Sequence, residues 1–267
     1  MKDSNNIIKK STKSLIKLLD SFFNDDTTYY AASLSFFTIF SILPIIALLI
    51  SIISNLQIIQ EYLNVFIEYI FDILNPMHSK EFIETFKNYI SNSNKLGFLG
   101  LLYMLFVFIM FFKDYEYIVN KIHNAKRKPL LQSFFFYLIF LITLPLMLAA
   151  LNIALSFYQN TFLNWFTTFI FAWCIFFGLF KLSVNKPISS KAAAISSLFT
   201  LIVLSITKNL FVYYVIYNKT YTTIYGSLAT LLFSFFWIYL SWVIYLYGIK
   251  MCHRLNIQNS NRQNKKD

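Results

Sequence analysis

A chain of 267 residues that is 57% hydrophobic and 20% aromatic but only 13% charged is excluded from the ordinary soluble domains. Those carry about a quarter charged residues, and one of this length could not take so much apolar surface out of water. The net charge of +11 would suit a nucleic-acid binder, but its placement along the chain gives it another meaning.

The chain opens on "MKDSNNIIKKSTKSLIKLLDSFF". Basic residues and apolar ones at helical spacing, with no short apolar core and cleavage site, predict an amphipathic helix on the inner leaflet and no secretory signal. Six apolar blocks follow, over 30–54, 97–112, 130–158, 162–180, 192–217 and 225–252. Most have the length of about 20 residues needed to cross a hydrocarbon core of about 30 Å. Lipid offers the backbone no hydrogen-bond partner, so such blocks are helices. The second block is short, and its helix is expected to continue into "KDYEYIVNKI", with Lys113 and Asp114 at the water boundary or in a crevice.

Between the first two blocks, "EYLNVFIEYIFDILNP" repeats Glu61, Asn64, Glu68, Asp72 and Asn75 at three- and four-residue steps, the wet stripe of a helix that Pro76 ends. Ser79 then reads as the N-cap of a second helix. The connection 55–96 is therefore a helical insertion, read either as a structural lid or as an outward mouth with an acidic rim. The predicted division is a cytoplasmic amphipathic segment over 1–29, an all-α, six-helix membrane domain over 30–252 that contains the insertion, and a basic tail over 253–267.

Charge placement orients the bundle. Of 23 Lys and Arg, five precede the first block, five lie in 113–128, three in 181–191 and five from Lys250 onward. The alternate connections hold only Lys80, Lys87, Lys95 and Lys219, and Lys208 is the only charge of its block. The excess of cations on cytoplasmic loops puts both termini in the cytoplasm. It also accounts for the net charge without nucleic acid.

Polar residues inside the blocks are few. Ser33, Ser35, Thr38 and Ser41 precede Pro44 in the first, and Thr143 and Pro145 precede Asn152 in the third. Kinks are expected at the prolines. In the last block Ser227, Ser234, Ser241 and Gly248 recur every seven residues, a seam of small groups suited to close helix packing.

The segments "DDTTYYAASLSFFTIFSILPIIALLI", "YISNSNKLG", "NKIHNAKRKP" and "KNLFVYY...YGSLATLLFSFFWIYLSWVIYLYG", in this order, resemble the YihY/BrkB family of bacterial inner-membrane proteins, over about Asp25 to Lys250. The resemblance implies six transmembrane helices with both ends inside. It further implies a place in envelope lipid or ion transport, roles proposed for the family, whose earlier label was ribonuclease BN. Where the family often ends its last span in Gly-Ala-Glu, this chain has Gly248, Ile249 and Lys250, so a role for that carboxylate does not carry over.

Hydrolysis of a phosphodiester through metals needs clustered His and carboxylate ligands. His78, His123 and His253 form no such cluster in the sequence, and no phosphate loop or nucleophile elbow is present. Cys174 and Cys252 have neither metal-ligand spacing nor the makings of a disulfide framework. No catalytic residue, metal or cofactor is assigned. The candidate substrate-binding residues are Lys208, Asn209, Asn152 and Ser205. Lys208 lies sixteen residues beyond Ala192, roughly 24 Å into the membrane at 1.5 Å per residue. An ionisable group there is a functional candidate, or else it snorkels to the surface. The six blocks hold no Asp or Glu to pair with it, which favours an anion. The expected function is movement or handling of an anionic envelope lipid or other anion, with membrane lipids as partners. Two alternatives stand beside it: a cation or proton-coupled transporter using Asp114, Glu116 or the insertion's carboxylates, and a scaffold that transports nothing.

Overall fold

The computed structural model describes residues 26–53, 97–156, 161–217 and 227–263, together with Glu84 and Asn88. The predicted amphipathic segment as far as Asp25, the insertion 55–96 apart from those two residues, and the end of the tail lie outside the described residues. Within them the chain is all-helical, in six long helices: α1 (Asp26–Ile53), α2 (Gly97–Ile122), α3 (Leu130–Ser156), α4 (Thr161–Leu182), α5 (Ser190–Tyr217) and α6 (Ser227–Gln263). Each covers most of one apolar block, and α6 runs on past the block's end at residue 252. Five are long and apolar enough to cross a membrane. α2 is not among them, and its second half carries Lys113, Asp114, Glu116 and Lys121; the expected continuation of that helix past the apolar block is present.

Neighbouring helices alternate in direction. The end of α2, the start of α3, the end of α4, the start of α5 and the end of α6 meet at one end of the bundle, as hydrogen bonds from Lys128 to Leu182 and from Ser189 to Asn256 require. Lys121 over the Tyr30 ring, at 5.1 Å, brings the start of α1 there too. The loop cations of 113–128 and 181–191 and those that follow Lys250 on α6 therefore share one end. α1, α2 and α6 form the centre, α5 packs along α6, and α4 lies outside α5. Of α4's described residues only Phe180 is buried, and the apolar remainder suits contact with lipid.

The main core runs from the basic half, with Leu34, Phe108, Tyr115, Val119, Tyr137, Leu246 and Ile249, past the middle of the bundle to Ile45, Leu48 and Met104. A smaller cluster of Phe211, Ala229, Phe233 and Trp237 joins α5 to α6 at the other end. Helix α1 is continuous through Pro44. Two of its hydroxyls bond back to earlier turns, Ser35 to the Ala32 carbonyl and Thr38 to that of Leu34, the usual way a hydroxyl is satisfied inside an apolar helix. Thr38 Oγ1 also accepts the indole N–H of Trp242 at 2.8 Å, tying α1 to α6. At Gly248 the small-residue seam serves packing: a Cβ there would collide with Thr200 Oγ1 of α5.

Candidate functional site

Of the residues singled out in the sequence, Lys208 is half-buried on α5, while Asn209 and Ser205 are exposed. Ser205 Oγ donates to the Leu201 carbonyl of its own helix at 2.9 Å. Among the described residues nothing pairs with the Lys208 ammonium. Deeper along the same face, Leu201 and Ser197 are buried, and Ser197 Oγ receives the Trp173 indole N–H from α4 at 3.1 Å. The face is thus covered by a helix at Ser197 and open at Lys208. Asn152 is on α3, whose neighbours in the bundle are α2, α4 and α1, whereas those of α5 are α6 and α4.

The opposite end carries the denser polar chemistry. Helix α2 stops at Asn124, whose φ of 50° is left-handed. The N–H of Ala125 returns to the Asn120 carbonyl and that of Asn124 to the Lys121 carbonyl, closing the last turn. Asparagine accepts this conformation at lower cost than most residues. The chain then doubles back through Lys126, Arg127 and Lys128 into α3, and Glu116 fixes that return. Its buried carboxylate accepts the Lys128 N–H at 2.8 Å through one oxygen and the Ser133 hydroxyl through the other. A carboxylate at the start of a helix also meets the positive end of its dipole.

Three asparagines lock this turn to the next one. Buried Asn120 donates to the carbonyls of Glu116 and Ser183 and accepts the Asn185 N–H at 2.7 Å. Asn185 donates to the Lys126 carbonyl, and Asn256, on the extension of α6, accepts the Ser189 N–H. Beneath them Tyr115 donates to Ser183 and shares a 2.6 Å hydrogen bond with Tyr245. His123 is fully buried, with Nδ1 at 3.1 Å from the Val119 carbonyl and its ring edge-on to His253 at 5.3 Å. Burial, and then His253 and Lys186 nearby, push its pKa down to about 4, so the ring is neutral.

The cations are seated on aromatic rings: Arg127 over Tyr117 at 4.4 Å, Lys128 over Phe136 at 4.7 Å. Lys128 Nζ also donates to the Leu182 carbonyl. Between α2 and α3 lies a cleft of about 90 Å³, with apolar lining from Phe108, Ile109, Phe112 and Phe134 and basic lining from Lys113, Arg127 and Lys128. None of these residues was among the sites expected from the sequence. The signal was present in "NKIHNAKRKP", read for charge and resemblance, but nothing in the string says that its first residue, Asn120, and Glu116 one turn before it hold the loop in place. Among the described residues no three His, Cys, Asp or Glu are placed to hold a metal ion.

Comparison with known proteins agrees with this architecture. A family model described as virulence factor BrkB matches residues 18–267. The UPF0761 membrane protein of Haemophilus influenzae (strain 86-028NP) is 27% identical over 238 residues, 85% of this chain and 88% of that protein. That of Aggregatibacter aphrophilus (strain NJ8700) is 28% identical over 237 residues, 84% and 85% of the two chains. A third, from Actinobacillus pleuropneumoniae serotype 5b (strain L20), is 27% identical over 250 residues, 88% and 90%. No solved structure matches. With nearly its whole length covered by the family model and five helices fit to cross a bilayer, the chain is a multi-pass membrane protein that belongs to the BrkB family.

Proposed function

We propose that this protein crosses the bacterial inner membrane six times, with both termini in the cytoplasm, and that it moves or handles an anionic envelope lipid or another anion without being an enzyme. The observation that carries the reading is Lys208, a half-buried cation on a helix that has no other charge between Lys191 and Lys219. A charge in hydrocarbon costs on the order of 3 kcal/mol on insertion scales, so it persists where something compensates it. The apolar blocks contain no carboxylate, and an anionic headgroup or small anion is then the natural counter-charge. Asn209 and Ser205 flank it on α5, and Asn152 is the further polar residue assigned to the path.

Transport coupled to protons or cations is the second reading, since it asks for a carboxylate near the membrane and Glu116 is one. Both of its oxygens are engaged by Lys128 and Ser133, which favours a structural role. The anion reading is tested by mass spectrometry of lipids that co-purify with wild type and with Lys208→Met, which keeps an apolar stem and removes the charge. Loss of a particular anionic lipid from a folded variant supports it. An identical bulk mixture on both would leave Lys208 as a snorkelling residue and the anion reading without its site.

A further inference from the structure

The cleft between α2 and α3 combines two surfaces that a soluble ligand would not need together. Phe108, Ile109 and Phe112 of α2 and Phe134 of α3 make an apolar wall, while Lys113, Arg127 and Lys128 supply cations to the same space. One turn deeper, Leu105 of α2 and Leu138 of α3 are half-buried beside the core. The cleft stands where α3 enters its apolar stretch at Leu131, so acyl chains and headgroups are both within reach.

Three cations against one carboxylate leave the lining two charges positive. The carboxylate is also the best satisfied group present, because Glu116 is held by the Lys128 N–H and Ser133. The cations are less so. Arg127 spends one N–H on the Lys113 carbonyl and keeps others of its five. The Lys113 ammonium has no partner among the described residues. Lys128 Nζ makes one hydrogen bond, to Leu182, and burial draws its pKa below the ordinary lysine value, with Glu116 opposing. A buried cation of this kind gains from an anion placed beside it.

We propose that this cleft binds an anionic phospholipid from the leaflet at the basic end of the bundle, its phosphate between Lys113, Arg127 and Lys128 and an acyl chain along Phe108, Ile109, Phe112 and Phe134. The source is a lipid and not free phosphate because four apolar side chains contribute nothing to a hydrated ion, whereas an acyl chain buries surface against them. The site is at the end of the bundle opposite Lys208 and does not depend on the reading given to that residue.

The test is native mass spectrometry of the full-length protein in detergent, titrated with phosphatidylglycerol, with phosphatidylcholine, and with phosphatidylglycerol against inorganic phosphate. Wild type is expected to take up one phosphatidylglycerol in preference to phosphatidylcholine, and millimolar phosphate should not displace it. Lys113→Gln, which breaks no side-chain hydrogen bond seen in the structure, should weaken that first binding event about tenfold, one charge-assisted contact's worth. Ile109→Trp should block it by filling the wall with every charge kept. Lys208→Met should leave the event unchanged, which separates this site from the other. Equal binding by wild type, Lys113→Gln and Ile109→Trp would overturn the proposal, and so would displacement by inorganic phosphate, which would make the cleft a small-anion site.

Discussion

Glu116 illustrates how a carboxylate can stand at a membrane edge without serving as an ion site. Its two oxygens receive a backbone N–H and a hydroxyl from the start of α3, so removing it strands a buried donor, a loss of about 1–3 kcal/mol. Glu116→Ala should lower the melting temperature of the purified protein clearly, and Glu116→Gln less, since the amide keeps one accepting oxygen. If Glu116→Gln left the melt unchanged and instead altered pH-driven uptake in vesicles, proton coupling would replace the structural account. Asn120 is engaged through both ends of its amide, donating to two carbonyls and accepting one N–H. Asn120→Ala should cost on the order of 2–3 kcal/mol, read from the same melt, because it releases two loops at once. Neither role could be read from the sequence, where each of these side chains is a lone polar residue whose partners lie up to 65 positions away.

Between elements, α5 and α6 approach closely at Gly248. Its missing Cβ is what lets Thr200 sit where it does, since that atom would overlap Thr200 Oγ1 and stand only 3.0 Å from Thr200 Cβ. Gly248→Ala should therefore push the two helices apart and cost about 1–3 kcal/mol, the usual range for overpacking, seen as a lower melting temperature. Adding Thr200→Ala should restore part of the loss by removing Oγ1, and an undiminished melt in Gly248→Ala alone would sink this account of the seam. The seven-residue spacing was legible as a packing signal, since two helical turns return to the same face. Which helix it meets was not, because every block is apolar on all sides and any of them could have been the partner.

At the scale of the molecule, burial of His123 links stability to pH. Its folded pKa of about 4 lies below the value of about 6.5 in an unfolded chain. Between those values the unfolded state binds the extra proton, so stability falls as pH drops through this window and levels off below it, by at most about 1.4 kcal/mol per pH unit from this group. His123→Gln should flatten the slope of a melting series from pH 7 to pH 4.5, and an unchanged slope would assign it to other groups. Orientation has its own check. In a background lacking Cys174 and Cys252, single cysteines at Asn124 and Lys186 should be shielded from an impermeant maleimide in intact cells, while one at Thr161 should react. Labelling of all three alike would reject the six-span topology.

That the chain lives in a bilayer, that its blocks are helices and where each begins to within a few residues could all be read from the order of its residues. These follow from local physics: apolar length, the need of every backbone group for a partner in lipid, and the placement of Lys and Arg. That order also located Lys208, because a charge inside an apolar run is visible without coordinates. The packing of the chain was needed to show which helices are neighbours, that Asn120, Asn185 and Asn256 bind two loops and a terminal helix into one platform, and that Arg127 and Lys128 of a short turn share a cleft with Lys113 of α2 and an apolar wall. Hydropathy is the same all round such helices, so the choice of partner rests on shape and on hydrogen bonds between distant residues. Neither of these is written in any single stretch of the chain.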